Sequence, residues 1–169
     1  MFSHKEENMK FKELYNNKGE KRSYCLGEDG REYFIYTDRT GYVFRDMCND
    51  DIDEWLSVMT NERCISSVQR AIQKAYISQK IEKELDDDGS LERTMVIFNP
   101  SGQLIGSIEF TEIEGEDGSC EISLFLKDEK ILKSKGKRVL EVLVRMQNQE
   151  KIYDSLWMMD EEKNQIRIA

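Results

Sequence analysis

Apolar and polar positions along the chain change period several times, and each change marks an element. Residues 1–20 are mostly polar past the first few, with Phe11 and Leu14 among few apolar positions, and read as a helical or mobile tail. Tyr24 and Leu26 then lead into the turn-like Gly27-Glu28-Asp29-Gly30, followed by Tyr33 and Ile35, which predicts a β-hairpin. Tyr42 to Met47 predicts a further strand. From Asn49 the period lengthens: Ile52, Trp55, Leu56 and Met59 share one helix face, with Asp51 and Glu54 supplying a start signal. A second helix is expected from about Ile65 to Leu85, with Val68, Ile72, Ala75, Tyr76 and Ile81 on its apolar side, ended by Asp86-Asp87-Asp88-Gly89.

Period two then returns. Thr94 to Phe98, the turn Asn99-Pro100-Ser101-Gly102, Gln103 to Ile113, the link Glu114 to Gly118 and Cys120 to Leu126 predict a three-stranded antiparallel meander. A basic connection from Lys127 to Gly136 follows, then a helix buried through Val139, Val142, Leu143 and Met146, then a strand from Tyr153 to Met159. Strand, crossover helix and strand imply a right-handed parallel pair. The expected fold is therefore a single α/β (α+β) domain over residues 21–169, its core from about residue 42. Its sheet is mixed and mostly antiparallel, flanked by helices, with an extra N-terminal hairpin.

Charge narrows the functional classes. A net charge of -9 on 169 residues argues against a general nucleic-acid binder, because affinity for phosphate backbones rests on clustered cations. The one distinctly basic stretch runs from Lys127 to Arg145 and includes Lys130, Lys133, Lys135, Lys137 and Arg138. The four cysteines, Cys25, Cys48, Cys64 and Cys120, lack metal-ligand or redox spacing and read as free thiols. With one histidine, His4, near the terminus, a serine-type triad or histidine metal cluster is excluded within one chain, and no metal is expected. No apolar run approaches the ~20 residues of a membrane span, which implies a cytoplasmic protein.

The order of elements from Tyr42 resembles that of the GNAT superfamily of N-acetyltransferases. The residues carrying the resemblance are Gly102 to Phe110, similar to the family's "x-G-x-x-I-G" strand, then Glu121 to Leu126 leading into Lys133-Ser134-Lys135-Gly136-Lys137-Arg138. The family loop runs Gln or Arg, two residues, Gly, one residue, Gly or Ala. Here Lys133 stands first and Arg138 last, and Gly136 matches. Asn164, with Ile168 four residues on, is similar to the family's "N-x-x-A-I-x-x-Y" helix, with Arg167 at the alanine position. The family tyrosine that serves as general acid would fall beyond Ala169, so the chain is expected to lack it. The place of the missing strands would be empty or filled by the N-terminal hairpin.

The resemblance implies acyl-coenzyme A, most simply acetyl-CoA, as cosubstrate. Pantetheine would lie on the backbone of Leu124, Phe125 and Leu126, and pyrophosphate on Lys135, Gly136 and Lys137, with Asn164 adding a contact. The physics of that loop is general, since helix N-terminal N–H groups attract anions and glycine permits close approach. Transfer to an amine needs a group that takes a proton, and Glu121 and Glu109 are the candidates, with Glu112 beside them. Glutamates that alternate on a strand ordinarily face solvent, and Trp55 ordinarily packs in a core. An acidic enzyme suits a cationic acceptor. A homodimer is compatible with the sequence. Two readings stay open beside the enzyme: a catalytically degenerate GNAT-like interaction or regulatory domain, and a small binding protein of unrelated topology.

Overall fold

Among the described residues, eight strands follow one another across a single sheet in the order of the sequence. The computed structural model describes residues 24–59, 66–86 and 90–169. The expected tail at 1–20, Cys64 and most of the Asp86–Gly89 run lie outside the described residues.

The first hairpin is made by β1 (Tyr24–Leu26) and β2 (Glu32–Thr37), and β3 (Val43–Asp46) pairs with β2. A single 3-10 turn at Asn49–Asp51 leads into α1 (Ile52–Met59), and α2 (Ser67–Asp86) follows. The meander is β4 (Arg93–Phe98), β5 (Leu104–Glu112) and β6 (Ser119–Leu126). Helix α3 (Glu129–Glu150) crosses to β7 (Ser155–Met159), which pairs in parallel with β6, and β8 (Gln165–Arg167) closes the edge. All other neighbours are antiparallel. The predicted fold class, the hairpin, the meander and the parallel pair are therefore present.

Two cores sandwich the sheet. Under α3, Val139, Val142, Leu143 and Met146 pack on Phe34, Phe44, Met95, Ile108, Phe110, Cys120 and Leu156, all of them fully enclosed. On the other face Ile52 and Leu56 of α1 and Ile81 and Leu85 of α2 cover Tyr33, Val96 and Leu104. Asp38 ties the first core together: its carboxylate takes both Arg145 Nε at 3.0 Å and Nη2 at 2.9 Å from α3, and Tyr36 Oη at 2.8 Å from β2.

Four expectations are corrected. First, Gly136 is not in a loop. Helix α3 begins at Glu129, capped by Asp128, whose Oδ1 accepts from Ile131 N at 2.8 Å, so Gly136 sits roughly two turns inside the helix. Second, Asp160 to Ala169 forms no helix. Asp160 N donates to Asn164 O at 2.9 Å and Asp160 Oδ1 accepts from Glu162 N and Asn164 N, which turns the chain back as the β7–β8 hairpin. Third, the N-terminal hairpin extends the opposite edge from β7, and the strand beside β7 is supplied by β8.

Fourth, the apolar side of α2 is split. Val68, Ile72 and Tyr76 are 67%, 63% and 69% exposed, whereas Ile81 and Leu85 are buried. Val68 and Ile77 stand nine positions apart, about 180° at roughly 100° per residue, so the two stripes look in opposite directions. Only the second meets the sheet.

Candidate functional site

Strands β6 and β7 begin paired and then part. Their register holds at Ser119–Ser155, Cys120–Leu156 and Glu121–Trp157 and stops there. Beyond Glu121, β6 runs on to Leu126 against β5 alone, while Met158 and Met159 of β7 pair with β8. The result is a V-shaped opening in the sheet.

Alternation of strand backbone decides which amides face it. Lys127 N donates to Ile105 O at 2.8 Å, so odd-numbered positions of β6 turn their N–H and C=O toward β5. The backbone groups of Leu124 and Leu126 then turn to the opening, while those of Phe125 belong to the β5 ladder. Beside this point β6 crosses β5 closely: a Cβ at Gly106 would lie 3.0 Å from Leu126 Cα and overlap Phe125 O, which only glycine avoids. The "I-G" glycine of the sequence thus shapes the opening by close approach of two backbones.

Side chains of the odd-numbered positions form one open face. Glu121 pairs across β5 with Thr111 and across β7 with Trp157, and Ser123 stands opposite Glu109. No described residue of α1 or α2 joins β6, β7 or β8 in the second core, so Ser123 and Phe125 are exposed, Phe125 by 42%. Trp55 of α1 donates from Nε1 to the buried Ser107 Oγ at 3.0 Å, fixing the boundary between covered and open sheet.

The two glutamates differ. Glu109 is held by Lys80 of α2, Nζ to Oε1 at 2.8 Å. Burial pulls the Lys80 ammonium down, but Glu109 and Glu84 outweigh it and the net direction is up. Glu121 meets no cation among the described residues and accepts from Gln165 Nε2 of β8 at 2.8 Å. It lines a cleft of about 420 Å³ with Glu112, Glu114, Thr111, Ser123 and Gln165, three carboxylates with no basic side chain. Glu112 Oε1 is engaged by Leu91 N at 2.6 Å.

The residues expected to hold pyrophosphate are not gathered. Gly136 is buried in α3, and a Cβ there would meet nothing nearer than Leu132 Cδ1 of the same helix, at 3.3 Å, so the glycine is not needed for close approach of another group. Lys137 is exposed on the helix, and Asn164 lies in the β7–β8 turn. The helix N-terminus itself is taken by Asp128, with Glu129 behind it, and two carboxylates there repel an anion. Sequence carried the signal for this cap, an Asp-Glu pair three residues before Ile131 and Leu132, beneath the more conspicuous lysines.

No protein-family model and no curated protein matches the chain. Solved structures do. A spermidine N-acetyltransferase SpeG chimera from Vibrio cholerae and hSSAT is 15% identical over 72% of each chain, with a TM-score of 0.54. The ribosomal-protein-S5-alanine acetyltransferase of Vibrio fischeri is 13% identical, covering 73% of this chain and 72% of its own, with a TM-score of 0.52. RimL, a ribosomal L7/L12 alpha-N-protein acetyltransferase, is 10% identical over 80% and 76%, with a TM-score of 0.58. Identities this low speak for architecture, and with the strand order and the parted β6–β7 pair they show that the chain has the fold of the GNAT superfamily of acetyltransferases.

Proposed function

We propose that this chain is an acyl-CoA-dependent N-acyltransferase that acylates a cationic primary amine, most simply with an acetyl group. The observation that carries the reading is the opening between β6 and β7, with the backbone of Leu124 and Leu126 turned into it and an uncovered, acidic sheet face beside it. Structural neighbours that act on spermidine and on protein amino groups support acyl transfer to an amine in general.

Two parts of the chain fit the reaction. The amides of Leu124 and Leu126 suit a ligand that is itself extended and amide-bearing, and an N–H there would polarise a thioester carbonyl. Bound acyl-CoA supplies the activated acyl group. Glu112, Glu114 and Glu121 attract a cationic acceptor, as one sign of charge in a cleft concentrates the opposite sign. Glu121 takes the proton that the amine releases, directly or through one water. Glu109, already paired with Lys80, keeps α2 on the sheet.

The phosphate end of the cosubstrate does not fit the N-terminus of α3, because Asp128 occupies it. That favours a second reading, a GNAT-fold interaction or regulatory domain without turnover. Thermal shift with coenzyme A and acetyl-CoA, followed by thiol release across a panel of amines, separates the two. Stabilisation and amine-dependent thiol release support the enzyme; no shift at saturating ligand overturns it and leaves the second reading.

A further inference from the structure

We propose that the cleft on the flank of α3 away from β7 is a binding site for a phosphate-bearing small ligand. It rests on none of the acyl-transfer reading, since no residue of β6 or β7 lines it.

The cleft measures about 430 Å³, within the roughly 300–1,000 Å³ of small-molecule sites. Ile131, Ser134, Lys135 and Arg138 line it from the helix, spaced so that all four stand on one side. Opposite them stand two turns, Thr40 before β3 and Asn99 to Ser101 between β4 and β5. These turns are locked to each other and to themselves. A Cβ at Gly41, whose φ is +95, would lie 3.1 Å from Pro100 Cβ, and Asn99 Oδ1 accepts from Ser101 N at 3.0 Å and Gln103 N at 2.9 Å. Tyr42 and Ile105, 5% and 7% exposed, form an apolar floor.

Charge selects the ligand. In a chain of net charge -9, this cleft is lined by two cations and no carboxylate. Farther along the same helix flank Arg145 is already neutralised by both oxygens of Asp38. Lys135 has no such partner among the described residues, and Arg138 has only Glu141 at 3.7 Å on the exposed surface. An ammonium and a guanidinium one helical turn apart, with the Ser134 and Ser101 hydroxyls alongside, match the several oxygens and the charge of a phosphate group. The apolar floor accepts the organic body that carries it. The basic stretch from Lys127 to Arg145 thereby acquires a role in its middle, on the side of the helix rather than at its N-terminus.

Isothermal titration of the intact chain with inorganic pyrophosphate tests the site, with sodium sulfate at matched ionic strength as the comparison. Saturable binding is expected, weakened about tenfold by either K135A or R138A and lost in K135E/R138E. K130E/K133E, which changes the charge of the same helix outside the cleft, is expected to leave it within about twofold. Circular dichroism checks that each variant is folded. Coenzyme A that competes with pyrophosphate would place its own phosphate end here, and coenzyme A that binds alongside it would leave the cleft to a separate phosphorylated metabolite. Either keeps the site. Absence of saturable binding, or equal losses in K130E/K133E and K135E/R138E, overturns it.

Discussion

The two faces of the sheet are covered to different extents, and the difference separates what holds the fold from what is open to chemistry. Under α3 the enclosed core reaches from Phe34 on β2 to Leu156 on β7. On the opposite face the core of α1 and α2 stops at β5, leaving Glu121, Ser123, Phe125 and Trp157 with solvent on at least one side. Long amphipathic α3 can span the sheet, whereas α1 is short and the first half of α2 turns its apolar stripe outward.

The largest expected effect lies under α3. Leu143, fully buried, should lose about 3–4 kcal/mol on Leu143→Ala, while Phe125→Ala on the open face should cost under about 1 kcal/mol, both by chemical denaturation. Equal losses would break the comparison.

Asp38 comes next. Asp38→Asn should cost roughly 2–3 kcal/mol, below the figure for a fully buried pair because Arg145 is 28% exposed. Its carboxyl is held well below the usual carboxylate range, chiefly by the Arg145 guanidinium against the opposing effect of burial. The Tyr36 hydroxyl it accepts from is pushed up to about 12, by burial and then by that hydrogen bond. A depressed folded pKa means that the stabilisation is present above the unfolded value of about 4 and is lost as pH falls below it. Wild type should lose stability in that acid range, and Asp38→Asn should remove this part of the dependence.

Asp128→Ala should cost about 1 kcal/mol, the usual value of an N-cap, and should not weaken coenzyme A binding. Gly136→Ala should instead stabilise by up to about 1 kcal/mol, since only the flexible Leu132 side chain must yield and alanine favours helix. Were Gly136 a phosphate contact, that variant would bind coenzyme A less well at unchanged or greater stability, a result that calorimetry would reveal. The smallest change in stability, within about 0.5 kcal/mol, is expected for Glu121→Gln, with turnover of amine and acetyl-CoA reduced by about 10²-fold or more.

Much of this was legible along the chain. Period-two runs punctuated by Gly30, Gly102, Gly115 and Gly118, all at positive φ, marked the hairpins, because glycine alone takes those turns without strain. The site was less so. Glu121, Leu124 and Leu126 were expected from the resemblance of the strand that carries them, yet which amides face the opening depends on the register with β5. Gly136 misled because a glycine among lysines looks the same in a loop and in a helix; the Asp128 carboxylate on Ile131 N settles the difference. Asn164 misled for a similar reason, as a turn held by Asp160 and a helix start share the same residue types.

Local pattern by itself determined β1 to β7, the three described helices and the order in which they occur, since hydrophobic period and turn chemistry act within a few residues. Tertiary structure alone decided where β6 and β7 part, which half of α2 is buried and which basic residues of α3 share a cleft. Those outcomes depend on contacts between residues far apart in the chain: Glu121 with Gln165, Asp38 with Arg145, Gly41 with Pro100.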